Sequence, residues 1–158
     1  MRSVQVAVED GRVLHRVDMA AAVAEADAVI NLPKLKTHNL TGLTLSVKNL
    51  FGVVPGTLKL AYHGKMQETE LFCQGMLDIL SCASPVLNIM DAIVGMEGNG
   101  PSGGDPRQIN ALIMGADALA VDVVAAALVG LEPLHVGTTA AAVRRGLTTG
   151  RLEAVSYT

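Results

Sequence analysis

Three short apolar runs constrain this chain most: residues 28–32, 86–94 and 109–114. Each is bounded by Pro, Gly or polar residues, which predicts buried strands rather than helices. Between them, residues 67–83 place Phe72, Met76, Ile79, Leu80 and Ala83 on one helical face, and Pro85 ends the pattern. Asp117 fits the N-cap of an apolar helix that runs through Val129 and closes at Gly130. The same patterning predicts a strand over 3–8, a helix over 18–27 capped by Asp18, a helix over 138–145 and a strand over 152–157. Residues 41–50 fit either helix or strand, and residues 95–106 a long glycine-rich loop. Helices alternating with apolar strands predict an α/β fold: one domain over 1–158, with a largely parallel sheet flanked by helices.

Half of the residues are hydrophobic and only 17% are charged, which excludes a disordered chain. The four aromatic residues (Phe51, Tyr62, Phe72 and Tyr157) are too few for a base-stacking platform. A net charge of −3 argues against a general nucleic-acid binder. No apolar run reaches the roughly 18 residues of a bilayer span. The first twelve residues alternate and turn acidic, unlike a signal peptide. Cys73 and Cys82 cannot form a zinc or iron–sulfur site alone, and unpaired thiols suit a reducing compartment. The expectation is a cytoplasmic protein with neither nucleic acid nor membrane as partner and no iron–sulfur cluster of its own.

The charge is sparse and segregated. Residues 31–66 hold five lysines (Lys34, Lys36, Lys48, Lys59 and Lys65), two histidines (His38 and His63) and no acid, within a chain that is acidic overall. Such a patch suggests a local anion site. Lys34, Lys36 and His38 alternate, so in an extended chain they point the same way, just past a predicted strand. Ligands of open α/β sheets bind there. A solvated lysine edge that discourages strand pairing is the alternative.

Asp91 interrupts an apolar strand, which is costly unless it is paired. Facing the lysines, Asp91 and Glu97 leave three readings open: general acid–base work, a divalent metal held with a histidine, or a structural ion pair. Residues 98–103 (GNGPSG) match G-x-G-x-x-G formally, but a strand-like segment follows where a dinucleotide fingerprint needs a helix. Pro101 and Pro106 also remove amide donors. The segment fits a rigid loop over the site. Asp122, within an apolar helix, needs a partner and fits a supporting role, holding a neighbouring loop by hydrogen bonds.

The ordered motifs Asn31-Leu32-Pro33-Lys34-Leu35-Lys36-Thr37-His38, residues 41–52 (TGLTLSVKNLFG), residues 91–101 (DAIVGMEGNGP) and residues 117–122 (DALAVD) carry a resemblance. Together they resemble the prokaryotic family called domain of unknown function 362, from about residue 20 to the end. The resemblance implies an α/β fold and frequent association with a ferredoxin-like iron–sulfur module, absent from this chain. It implies no reaction. It singles out Lys34, Lys36, His38, Lys48, Asn49, His63, Asp91, Glu97 and Asp122. The chain is short for the family, as a trimmed member would be, so another protomer could complete its site.

The resulting expectation is an enzyme core for a small anionic carboxylate or phosphate. Lys36, His38, Lys48, His63 and Asp91 form the expected catalytic set. Lys34, Thr37, Asn49, Gly98 and Gly100 form the expected substrate-binding set. Asp91 and Glu97 are the expected ligands if a divalent metal takes part. The alternatives are a module that docks a ferredoxin-like protein through its basic face, and a non-catalytic remnant of a larger member. A homo-oligomer would fit the short N-terminal portion.

Overall fold

A computed structural model of the chain describes residues 2–158. Strands β1 (Ser3–Ala7) and β2 (Arg16–Ala20) form an antiparallel hairpin. The expected helix over 18–27 is corrected here: Val17 and Met19 are buried with the period of a strand, and only Ala21–Ala24 turn helical (α1). Asp18 caps no helix; its backbone N–H donates to the Tyr62 hydroxyl at 2.8 Å.

The second sheet contains β3 (Ile30–Asn31), β4 (Lys34–His38), β5 (Gly42–Thr44), β6 (Leu87–Asn99) and β7 (Gly103–Gly115). Its central pairings are parallel, with β3 and β4 following one another along the same edge of β6. Antiparallel β7 and β5 flank them. The chain is thus a mixed α/β fold whose central strands run parallel and are accompanied by helices. The expected glycine loop over 95–106 is instead the end of a long hairpin, because β6 continues to Asn99 and β7 starts at Gly103.

Helices α2 (Ser46–Asn49), α3 (Gly56–Lys65), α4 (Thr69–Ala83), α5 (Ala118–Leu128) and α6 (Gly137–Arg144) complete the chain, with a 3-10 turn at Leu50–Val53. The 41–50 ambiguity resolves into both states, a strand and then a helix. The α3 helix has no expected counterpart. The expected last strand is a 3-10 turn at Leu152–Ala154 with no ladder partner. Asp117 caps α5 through the Leu119 N–H at 2.8 Å, and Gly130 follows with φ +74°.

Two groups of buried side chains result. One gathers Phe51, Tyr62, Phe72, Met76 and Ile79 with the hairpin residues Val17 and Met19. The other packs Leu35, Met90 and Ala92 of the second sheet against Val121 and Ala125 of α5. A buried amide network links the elements. The Asn31 side-chain amide donates to Asn88 Oδ1 (2.9 Å) and to the Ser46 carbonyl (3.0 Å), and the Asn49 amide donates to Asn31 Oδ1 (2.8 Å).

Candidate functional site: a basic cluster on an aromatic floor

Three segments bring the basic side chains together. Lys36 and His38 come from β4, Lys48 from α2, and Lys59 and His63 from α3. The floor is aromatic. The His38 and His63 rings lie nearly parallel to Phe72, at 6.5 and 5.3 Å between centroids. Phe51 meets His63 edge-on at 5.3 Å and Phe72 at 5.8 Å. The ammonium groups of Lys48 and Lys59 stand 5.8 and 5.7 Å from the Phe51 centroid, within cation–π range.

The electrostatics follow from this crowding. Burial, then the charges of Lys36 and Lys59, push the Lys48 ammonium below its ordinary range. Burial, followed by the charges of Lys48, Lys36 and His63, lowers His38 to about 4. His38 is therefore neutral at neutral pH. Its Nδ1 accepts the Leu40 N–H at 3.1 Å, so the single imidazole proton sits on Nε2 and is available to a ligand.

Behind the cluster, Asp122 accepts from the Ser46 N–H (2.6 Å) and the Val47 N–H (3.2 Å). It thereby caps α2, the turn that carries Lys48. Burial pushes this carboxyl up to about 7 against those two hydrogen bonds.

The remaining expected residues lie apart from the cluster. Lys34 pairs with Asp91 at 2.8 Å. That hydrogen bond, with a second from the Ile93 N–H, holds the Asp91 carboxyl below its usual range. Glu97 faces Arg107 across the hairpin at 3.4 Å. Among the described residues, no three His, Cys, Asp or Glu side chains gather as a metal-holding group. Asp91 and Glu97, each engaged by its own cation, do not make a ready donor set for a divalent ion.

Asn49 belongs to the buried amide network. Thr37 faces the other side of β4, where it lines a cavity of about 590 Å³ with Leu35, Met96 and Ile109. Gly98 has φ +76°, and a Cβ on Gly100 would stand 2.1 Å from the Thr37 carbonyl oxygen. Both glycines are required for the hairpin turn to close onto β4. That turn reaches the cluster through one bond, Lys36 Nζ to the Pro101 carbonyl at 3.2 Å.

Sequence reasoning counted Lys59 in the basic segment but gave it no role in the site, and it missed the rings of Phe51 and Phe72. The signal available for them was their rarity: two of only four aromatic rings, one of them inside the acid-free segment.

With this geometry in view, the comparisons with known proteins decide the family. The model of the domain of unknown function (DUF362) matches residues 1–127. The chain belongs to this family. The match begins and ends earlier than the motifs alone suggested. A similar relative is the thylakoid-associated protein sll1697 of Synechocystis sp., 41% identical over 124 residues. That alignment covers 78% of this chain and 39% of the relative. No solved structure matches the chain. Among the described residues, no helix is long and apolar enough to cross a membrane.

Proposed function

We propose that the cluster around Lys48 binds a small anion, a carboxylate or a phosphate, as the anion-binding core of an enzyme. One observation carries this reading: Lys48 is half-buried beside Lys36 and Lys59, and among the described residues no carboxylate forms an ion pair with any of the three. Bringing like charges together out of water is unfavourable, and an incoming anion relieves it. Lys36, Lys48 and Lys59 neutralise the charge, and the Nε2–H of His38 donates a hydrogen bond. With Nδ1 occupied by Leu40, His38 acts as a donor rather than a base at neutral pH. Proton transfer falls to the exposed imidazole of His63.

Titration calorimetry with inorganic phosphate and with acetate tests the reading. Wild type is expected to bind one anion. Lys48→Ala is expected to weaken binding roughly ten- to a hundredfold, the worth of one charge-assisted hydrogen bond. Lys65→Ala, at the exposed end of α3, should bind as wild type does. Equal, weak binding by all three proteins would sink the proposal.

A second reading is docking of an acidic, ferredoxin-like protein. It draws support from exposure: His63 is exposed, and Lys36, Lys48 and Lys59 are each partly exposed. A salt-sensitive pull-down of ferredoxin that Lys59→Glu abolishes, without any phosphate binding, would favour docking.

A further inference from the structure

Over β3, the start of β4 and the neighbouring stretches of β6 and β7, the described residues leave one face of the second sheet uncovered. The pairs Ile30–Leu87 and Lys34–Asp91 share one offset, so Leu32, in the gap between β3 and β4, stands level with Ile89. Across β6, Ile89 pairs with Met114 and Asp91 with Leu112. Laterally paired residues share a face. Leu32, Ile89 and Met114 therefore form one row, and Lys34, Asp91 and Leu112 the next. Ile30 and Leu87 extend the patch.

Its large side chains are uncovered: Leu32 is 67% exposed, Met114 65%, and Leu112 and Ile30 58% each. The opposite face is closed, since Met90 and Ala92 are fully buried in the group that includes Val121 and Ala125 of α5. Parallel strands are ordinarily covered on both faces, and a contiguous apolar patch of this kind marks an interaction surface.

We propose that this face packs against the same face of a second copy of the chain. The argument is charge complementarity. Lys34 and Asp91 are the only charged residues in the two rows, they lie side by side, and their charges cancel. Each stays about half exposed. A two-fold axis through the patch brings Lys34 of one protomer to Asp91 of its partner and the reverse, which is the self-complementarity an isologous contact requires. A partner surface of a single charge sign would leave one of the two groups opposed. The apolar rows exclude water around the four alternating charges.

Sedimentation of the full 158-residue chain across micromolar concentrations tests the proposal. A particle of twice 16.4 kDa is expected. Leu32→Glu and Met114→Glu should sediment as monomers, whereas Leu60→Glu, on an 82% exposed position of α3, should remain dimeric. Lys34→Glu should dissociate the dimer through like charges, and Lys34→Glu combined with Asp91→Lys should restore it. A monomeric wild type overturns the proposal, as do dimers that persist in Leu32→Glu and Met114→Glu. A double exchange that stays monomeric also overturns it.

Discussion

Asp122 on α5 holds Ser46 at the start of α2, its carboxylate accepting the Ser46 backbone N–H at 2.6 Å across 76 positions of sequence. Leu45, which precedes the helix, supplies no side-chain cap, so the cap of the turn carrying Lys48 comes from a distant helix. Burial raises the Asp122 carboxyl to about 7 from an ordinary 3.8. The folded protein then binds more protons than the unfolded chain between those values. Asp122 therefore favours folding at the acidic end, and this contribution is lost as pH rises through about 7. Asp122→Asn should abolish that component. Thermal melts of both proteins from about pH 8 to about pH 5 check it, and parallel curves would refute the assignment.

His38 has the opposite sign. Its folded value of about 4 lies below the ordinary 6.5. The unfolded chain takes up the proton first, so the contribution of His38 is present above 6.5 and is lost as pH falls towards 4. Nuclear magnetic resonance titration of its ring should give a midpoint near 4, with the neutral proton on Nε2. His38→Gln should flatten the loss of stability between those pH values.

Asp78 and Arg145 form a buried ion pair at 2.7 Å, with side chains 0% and 8% exposed. Asp78 also accepts the N–H groups of Arg12 (3.1 Å), Val13 (2.9 Å) and Leu14 (2.8 Å). It ties the loop of the first hairpin to α4 and to the end of α6. Asp78→Ala should cost about 3–5 kcal/mol, because Arg145 is left buried and unpaired. Urea denaturation measures this, and Asp78→Ala with Arg145→Met should recover part of the loss.

Asn49→Ala separates a structural from a binding role. Asn31 Oδ1 loses the Asn49 amide at 2.8 Å, so stability should fall by about 1–3 kcal/mol. Phosphate affinity should stay unchanged. A variant that loses phosphate binding at wild-type stability would place Asn49 in the anion site instead.

The legible parts of the fold were those with a local cause. The face of α4 repeats with the helical period, and Asp117 caps α5 from two residues away. The three apolar runs became β3, β6 and β7 of the second sheet. The β2 strand was misread because its alanine-rich continuation favours helix, whereas pairing with β1 overrides that preference. The β6–β7 hairpin looked like a loop because its glycines suggest breaks; in the ladder they allow close backbone approach.

The sequence by itself determined the α/β class, the family and the concentration of positive charge in residues 31–66, since periodicity, motif order and charge all lie along the chain. Tertiary structure alone decided partners. It gave Asp91 to Lys34 through the β4–β6 register, and Glu97 to Arg107 across a hairpin. It set His38 and His63 against Phe72, and left an apolar patch of one sheet face exposed. Each of these choices depends on which residues stand side by side across elements, and a change of register by one residue would exchange the faces and the partners with them.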